Sequence, residues 1–291
     1  MPKLDVNGLE LRKYLPLMKN IRPIMCPNCR ALLDSKLSVC EYCHTELGAS
    51  SHREPAFLSK FVPQENFTTM VILLVNFGMF AATLLLTMKN SEGAGFLMQV
   101  DGRILRLFGA KDAFFIAHGE WWRLITAGFL HAGVFHILMN SWVLLDLGRH
   151  SEEVFGTSRF LVIYFVSNIL GFIASLFWSP HAISVGASAA VCGLIGAMIA
   201  HGYRTGSSYR SFYMRWAAII ILIGLMPGFH IDNAAHLGGM AAGFVIAYFA
   251  GVPHHSSSVE FVWKISAVAV LLVVVYSFYQ VYESMTAVPL V

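Results

Sequence analysis

Seven apolar stretches, each close to the length needed to cross a lipid bilayer, recur along this chain after residue 68. A helix needs about 20 apolar residues to span a hydrocarbon core of about 30 Å. The fourth and fifth stretches are short enough for re-entrant helices, but the arginines between them favour two complete spans. The seven stretches cover residues 69–88, 124–147, 160–178, 185–200, 212–227, 234–252 and 261–282.

The composition of the 291 residues agrees with a membrane as the solvent. Hydrophobic residues make up 56% and charged residues 13% of the chain, and the mean hydropathy is +0.62. A soluble domain carries about 25% charged residues, so a conventional soluble globule and a disordered chain are both excluded. The net charge of +3 gives no argument for a nucleic-acid partner. The chain is therefore predicted to be an all-α polytopic membrane protein with the lipid bilayer as its surroundings.

The distribution of Lys and Arg predicts the orientation in the membrane. The N-terminal tail and the loops 149–159, 204–215 and 254–264 carry the basic residues, whereas the loops between them and the C-terminal tail carry none. Cytoplasmic loops are enriched in Lys and Arg, and the tail has no apolar signal-peptide core. We expect a cytoplasmic N-terminus. The exception is segment 89–120, which is basic but semi-apolar and is predicted to lie in the outer membrane interface.

Four of the five cysteines form two C-x2-C pairs, Cys26 with Cys29 and Cys40 with Cys43. Two such pairs can supply the four tetrahedral ligands of a structural zinc ion, and so short a segment has too little core to fold without one. Two disulfides are the alternative, which a cytoplasmic location disfavours. A c-type haem attachment at Cys40, Cys43 and His44 is a second alternative, but it leaves the first pair without a role. The pattern predicts a zinc-ribbon-like module.

A few polar side chains lie inside the apolar stretches, where they are costly and therefore candidates for function. His136 and Asn140 are four residues apart in the second stretch and share one helix face, with His131 rotated away. Ser188 lies in the fourth stretch and His236 in the sixth. A hydroxyl, a base and two hydrogen-bond donors are the parts of a hydrolytic site. Taken singly, each side chain has a structural alternative, such as a hydrogen bond within its own helix or to a neighbouring helix.

Small residues suggest that the fourth and sixth stretches pack closely. Gly193 and Gly196 lie in the fourth, and Gly239 and Gly243 form a G-x-x-x-G pattern in the sixth. Such patterns let helix backbones approach each other. This approach would bring the Ser188 hydroxyl close to the His236 imidazole. Both lie near the outer ends of their predicted spans, within reach of water.

In combination, these motifs closely resemble the rhomboid family of intramembrane serine proteases. The resemblance covers about residues 71–252, and its motifs begin at Leu105 and include Gly119 to Arg123, His136 to Asn140, Gly186 to Ser188, and Ala235 with His236. It implies a six-helix rhomboid-like bundle over 69–252, with an additional C-terminal transmembrane helix over 261–282. The cytoplasmic tail, residues 1–60, would precede this bundle and hold the zinc module at about 22–48.

The resemblance also implies the role of each site residue. Ser188 and His236 would form a catalytic dyad without an acid, and His136, Asn140 and the Ser188 amide would form the oxyanion hole. Gly186, Gly239 and Gly243 would support this site, and Trp122 and Arg123 would belong to a structural first loop, although the sequence alone fits an interface anchor equally. No cofactor is expected for catalysis.

Cys192 departs from the family pattern, because relatives usually carry there an aromatic ring that packs on the catalytic histidine. Either His236 is held less rigidly in this chain, or another ring replaces the missing one. Cys192 as the nucleophile is a poor alternative, since the family role falls on Ser188.

The resulting expectation is a serine endopeptidase that cleaves transmembrane proteins near their extracytoplasmic ends through an acyl-enzyme. A catalytically inactive relative that binds client helices, with the zinc module as an adaptor to a cytoplasmic partner, is the alternative. A transporter would need broken helices or mid-span ionisable residues. Other intramembrane protease classes would need H-E-x-x-H or paired mid-span aspartates. Neither set is evident.

Overall fold

The computed structural model of the protein describes residues 23–26, 32–34, 37–41, 66–90, 99–226, 231–253 and 257–287. The chain divides into two units, Met1–Phe61 and Val62–Val291. The second unit is built from helices and holds every described helix.

The described part of the first unit contains a short antiparallel hairpin. Strand β1, Pro23–Met25, pairs with strand β2, Leu32–Asp34. Cys26 directly follows β1, and it is buried in one small cluster with Leu33 and Cys40. Cys29 and Cys43, the other two predicted zinc ligands, lie outside the described residues.

The second unit contains nine described α-helices and one 3-10 turn. In chain order they are α1 (Phe67–Asn90), α2 (Gly102–Leu107), α3 (Ala113–Ala117), α4 (Arg123–Thr126), the 3-10 turn Ala127–Phe129, α5 (Val134–Trp178), α6 (Ser188–Thr205), α7 (Tyr209–Gly224), α8 (Asn233–Ala250) and α9 (Ser257–Ala287).

The described residues contain four helices long and apolar enough to cross a membrane, namely α1, α5, α8 and α9. At 1.5 Å per residue, the 45 residues of α5 are too long for one crossing of about 30 Å. Gly156, at φ +72°, interrupts α5 and divides it into two helical segments. The loop predicted at 149–159 is therefore wrong, because this region is helical except at the glycine. The mostly helical structure of the described residues and its four long apolar helices are consistent with the predicted all-α polytopic class.

The prediction that the second span begins near residue 124 is also wrong. Residues 123–133 form α4, the 3-10 turn and an extended segment, and the long helix starts only at Val134. Ile125, Phe129 and Leu130 are apolar because they are buried inside the protein. His131 is likewise fully buried but lies before the helix, so its predicted place within the second span is wrong.

Helix α6 lies at the centre of the bundle and packs against α5, α7 and α8. Every residue from Ala189 to Met198 is buried. A Cβ atom at Gly243 of α8 would overlap the Gly193 carbonyl group and lie 2.7 Å from its Cα atom. The two backbones are thus in direct contact, which only residues without a side chain permit.

Replacing Gly243 with alanine is expected to destabilise the bundle by about 2 kcal/mol, because α6 and α8 must move apart to admit the methyl group. The midpoint of thermal unfolding of the detergent-solubilised protein measures the effect. Gly78→Ala in α1 is the matched control, since nothing lies within 4 Å of a Cβ atom there. Equal midpoints for the two variants would contradict the predicted contact.

Helix α9 is attached to the bundle by an ion pair whose arginine is buried. The Arg159 guanidinium of α5 donates from both Nη atoms to the Glu260 carboxylate of α9, each across 2.8 Å. Its carbon Cζ also lies 5.2 Å from the centre of the Trp263 ring. Farther along α9, the Phe278 ring lies 5.0 Å from that of Phe129. Helix α9 therefore packs directly on the same body that holds the candidate site.

Candidate active site

The predicted site residues lie close to the N-terminal ends of three long helices. His136 is the third residue of α5, Ser188 is the first of α6, and His236 is the fourth of α8. The first backbone N–H groups of a helix have no intrahelical acceptor, and the helix dipole makes this end positive. Where such ends meet, developing negative charge is stabilised.

Gly186 brings the first two of these helix ends together. Its φ of +122° favours glycine, and its amide donates to the Ala127 carbonyl across 2.9 Å. A Cβ atom there would lie 2.7 Å from His136 Nε2 and 3.7 Å from Ser188 Oγ. The imidazole and the hydroxyl therefore border the same small space beside Gly186.

The third helix end meets the second through small residues. Ala189 and Ala235 are the chain neighbours of Ser188 and His236, and they pack in one buried cluster. A Cβ atom at Gly239 would lie 2.9 Å from the carbonyl carbon of Ala189. The turns that carry the hydroxyl and the base are thus in contact.

Within the described residues, no hydrogen bond joins Ser188 Oγ to His236. The His236 side chain is buried, and its Nδ1 atom has no hydrogen-bond partner in this part of the chain. Catalytic hydrogen bonds are often long without substrate. Within the described residues, no carboxylate is hydrogen-bonded to the His236 ring, as expected for a dyad without an acid.

The hydrogen bonds of His136 and Asn140 define which donors they can offer. The Ala132 amide donates to His136 Nδ1 across 3.4 Å, so the neutral ring carries its proton on Nε2, the atom nearest Gly186. Asn140 Nδ2 donates to the His136 carbonyl across 2.9 Å. An amide NH2 group has two protons, and one of them remains to bind a ligand.

Arg123 is a buried centre of the first loop. Its guanidinium donates to the Glu120 carboxylate across 2.7 Å and to the Arg106 carbonyl across 2.6 Å, and it lies 4.3 Å from the centre of the Phe115 ring. Its exposed fraction is 4%. This burial does not fit an interface anchor that reaches into the headgroups. Trp122 precedes Arg123 at the start of α4, with its Nε1 atom buried.

Cys192 is buried one turn after Ser188, at 1% exposure. Among the described residues, no aromatic ring is in contact with the His236 ring. The structure therefore places no replacement for the missing aromatic ring in this part of the chain.

Two charged residues near the site were missed by the sequence analysis. Lys111 is fully buried, and its ammonium donates to the carbonyl groups of Ser179 and Ala182. Burial lowers the pKa of Lys111, whereas Asp232 and Asp112 oppose this shift. Asp232 lies four residues before the candidate base, and this i, i+4 spacing is the signal that could have identified it.

A cavity of about 240 Å³ lies elsewhere, between α5 and α7. Neither Ser188 nor His236 borders it, so the candidate site is defined by contacts rather than by cavity size. The cavity is lined by Trp142, Val143, Asp146, Leu147, Ile195, Phe212, Tyr213 and Trp216.

The chain is similar to known proteins over the range that holds the candidate site. The sequence pattern of the Rhomboid domain matches residues 118–253, a range that contains all of the candidate membrane-site residues. The chain is 39% identical over 170 residues to the rhomboid protease GluP of Bacillus subtilis (strain 168), covering 54% of this chain and 32% of that protein. It is 35% identical over 153 residues to rhomboid-like protease 3 of Toxoplasma gondii, covering 50% and 58%.

A third relative is described as inactive. The chain is 36% identical over 126 residues to the inactive RHOMBOID-like protein 8 of Arabidopsis thaliana, covering 41% of this chain and 35% of that protein. The matched regions thus span between about a third and three-fifths of these relatives. Together the matches support the rhomboid family for this chain, and with its apolar helices they support an integral multi-pass membrane protein.

Proposed function

We propose that this protein is an intramembrane serine protease that cleaves transmembrane proteins through a Ser188 and His236 dyad. The observation that carries this proposal is the convergence of three helix N-termini, with the His136 ring and the Ser188 hydroxyl on one space beside Gly186. The turn that holds His236 packs against the turn that holds Ser188. These contacts support a site that combines a nucleophile, a base and fixed donors.

In the proposed mechanism, Ser188 Oγ attacks the carbonyl carbon of the scissile peptide bond while the His236 imidazole takes the hydroxyl proton. The resulting imidazolium then protonates the leaving amine, and an acyl-enzyme remains on Ser188. Water attacks this ester with the imidazole as base, which releases the new carboxylate and restores the hydroxyl. No cofactor takes part in these steps.

The proposed oxyanion hole uses donors that the fold already fixes. The Ser188 amide is at the first position of α6, where it has no intrahelical acceptor. The Nε2 proton of His136 and the second amide proton of Asn140 add two side-chain donors. Such donors act on the charge that develops in the transition state.

The decisive experiment is cleavage of a labelled single-span protein by the full chain reconstituted in liposomes. A fluorophosphonate probe provides a second readout, because it reacts covalently with an activated serine and loses fluoride. Labelling of the wild-type protein at Ser188, together with cleavage, would support the protease. Folded protein that neither cleaves nor reacts would instead support the inactive client-binding alternative.

The proposed substrates are transmembrane helices that unwind easily and carry small residues at the cleaved bond. The proposed orientation places the N-terminal tail in the cytoplasm and the site at the extracytoplasmic side of the cell membrane, as the basic loops indicate. Protease treatment of sealed vesicles against a tag on the N-terminus tests this orientation.

We also propose that the first unit binds a structural zinc ion through Cys26, Cys29, Cys40 and Cys43. The burial of Cys26 and Cys40 in one cluster beside the hairpin supports this arrangement, because it brings one cysteine of each C-x2-C pair into the same small core. Zinc would supply folding energy to a segment with little apolar core. Three roles are open for the module, namely recruiting a cytoplasmic partner, sensing zinc, or stabilising the tail.

Purified full-length protein is therefore expected to contain about one zinc ion per chain by elemental analysis. Cys26→Ser and Cys40→Ser should each lose it, since three thiolates hold zinc less tightly than four. Cys192→Ser is the matched control and should retain the metal, because Cys192 lies in α6. A visible Soret band would instead establish the haem alternative.

A further inference from the structure

Asp232 uses both oxygens of its carboxylate to join three parts of the fold. As the N-cap of α8, it accepts from the Ala235 amide on Oδ1 across 3.0 Å. Its Oδ2 atom accepts from the Ser184 hydroxyl across 2.5 Å and from the Ser175 hydroxyl. The carboxylate thus connects the C-terminal part of α5, the segment that leads into α6, and the first turn of α8.

Lys111 also binds the segment that leads into α6. Its backbone forms a two-bond antiparallel bridge with Ser184, with both N–H···O distances at 3.1 Å. Its ammonium donates to the carbonyl groups of Ser179 and Ala182 across 2.9 and 3.1 Å. A buried ammonium needs a nearby negative charge, and Asp232 and Asp112 favour its charged form. We name Lys111, Ser175, Ser184 and Asp232 the serine–aspartate clamp.

The serine–aspartate clamp lies at the same short chain distance from both candidate catalytic residues. Ser188 follows Ser184 by four residues, and His236 follows Asp232 by four residues. No hydrogen bond joins Ser188 to His236 within the described residues, so their separation depends on how their two chain segments are held. A displacement of about 1 Å at a reacting group costs about 100-fold in rate.

We propose that Asp232 is a positioning residue that sets the separation of Ser188 and His236 by tying the segment before α6 to the first turn of α8. The proposal rests on the proposed function. Asp232 is not a third member of the dyad, because its oxygens bond to hydroxyl and amide groups and not to the His236 ring. It acts through the two chain segments that it joins.

The test compares Asp232→Asn and Ser184→Ala in the full-length protein. Asparagine can keep the N-cap acceptor, but its NH2 group cannot accept from the two serine hydroxyls. We expect Asp232→Asn to lower kcat by about 10- to 100-fold and to leave KM within about two-fold. Ser184→Ala should lower kcat less, because it removes only one of the two hydroxyl contacts that Asp232→Asn breaks. The double variant should be no worse than Asp232→Asn, because the Ser184 contact is already lost there.

Asp101→Asn is the matched control, because Asp101 caps α2 in the same way and accepts from the Arg103 amide. Its kcat should equal that of the wild-type protein. A change in KM alone in Asp232→Asn, or an unchanged kcat in Asp232→Asn and Ser184→Ala, would overturn the proposal. If Asp232→Asn does not fold, the kcat of Ser184→Ala decides.

Hydrogen exchange of the backbone amides provides a readout that does not depend on activity. Asp232→Asn should accelerate exchange in residues 179–190. The control Asp101→Asn should leave exchange in that region unchanged. Wild-type protein that never reacts with fluorophosphonate would contradict the proposed protease, and the exchange comparison would still decide whether Asp232 holds this segment. Unchanged exchange in Asp232→Asn would overturn the serine–aspartate clamp.

Discussion

Replacing Ser188 or His236 with alanine is expected to lower the rate of substrate cleavage by about 10⁴-fold or more. In the proposed mechanism, Ser188→Ala removes the atom that forms the acyl bond, and His236→Ala removes the base that takes its proton. Because both residues serve the same step, the double variant should be no slower than the slower single variant. Initial rates in proteoliposomes, measured at several substrate concentrations, separate kcat from KM.

Two replacements of the same residue types elsewhere serve as controls. Ser277→Ala removes a hydroxyl that bonds to the Val273 carbonyl within α9, and His201→Ala removes a ring that packs on Phe155 within the bundle. Both variants should cleave at nearly the wild-type rate. Fluorophosphonate labelling should disappear in Ser188→Ala and become much slower in the His236 variant. Persistent cleavage by Ser188→Ala or by His236→Ala would exclude Ser188 and His236 as the catalytic pair.

The apolar stretches predict most of the long helices to within a few residues, because a helix that faces lipid or other helices must be apolar over its whole length. The same rule fails at residues 124–133. Ile125 and Leu130 are apolar because they are buried beneath the long helices. Hydropathy alone does not distinguish burial in protein from burial in lipid. The short helical turns before Gly133 are held by tertiary contacts, which the sequence pattern does not show.

The candidate site illustrates the same limit at the level of single residues. Spacing along one helix places His136 and Asn140 on one face, and the small-residue pattern indicates the contact of α6 with α8. Asp232 could not be connected to Ser175 from the sequence, because 57 residues separate them and each is an ordinary polar residue near a helix end. The sequence shows Lys111 only as one of the basic residues of segment 89–120, and its burial becomes visible only in three dimensions.

The proposed oxyanion donors give the second large expected effect. His136→Ala and Asn140→Ala are each expected to lower kcat by about 10²- to 10³-fold and to change KM little, because the donors act mainly on the transition state. Gly186→Ala should have an effect of similar size without removing a donor. Its methyl group would lie 2.7 Å from His136 Nε2, in the space where the proposed mechanism places the substrate carbonyl.

Gly119→Ala separates this steric effect from backbone strain. Gly119 has a φ of +101°, comparable to the +122° of Gly186, but nothing lies within 4 Å of a Cβ atom at Gly119. Both alanine variants therefore carry the strain of a positive φ, and only Gly186→Ala also blocks the site. If both variants lose kcat equally, the loss reflects strain alone. If Gly119→Ala retains near wild-type kcat and Gly186→Ala does not, the loss comes from filling the space shared by His136 and Ser188, which supports that space as the proposed oxyanion site.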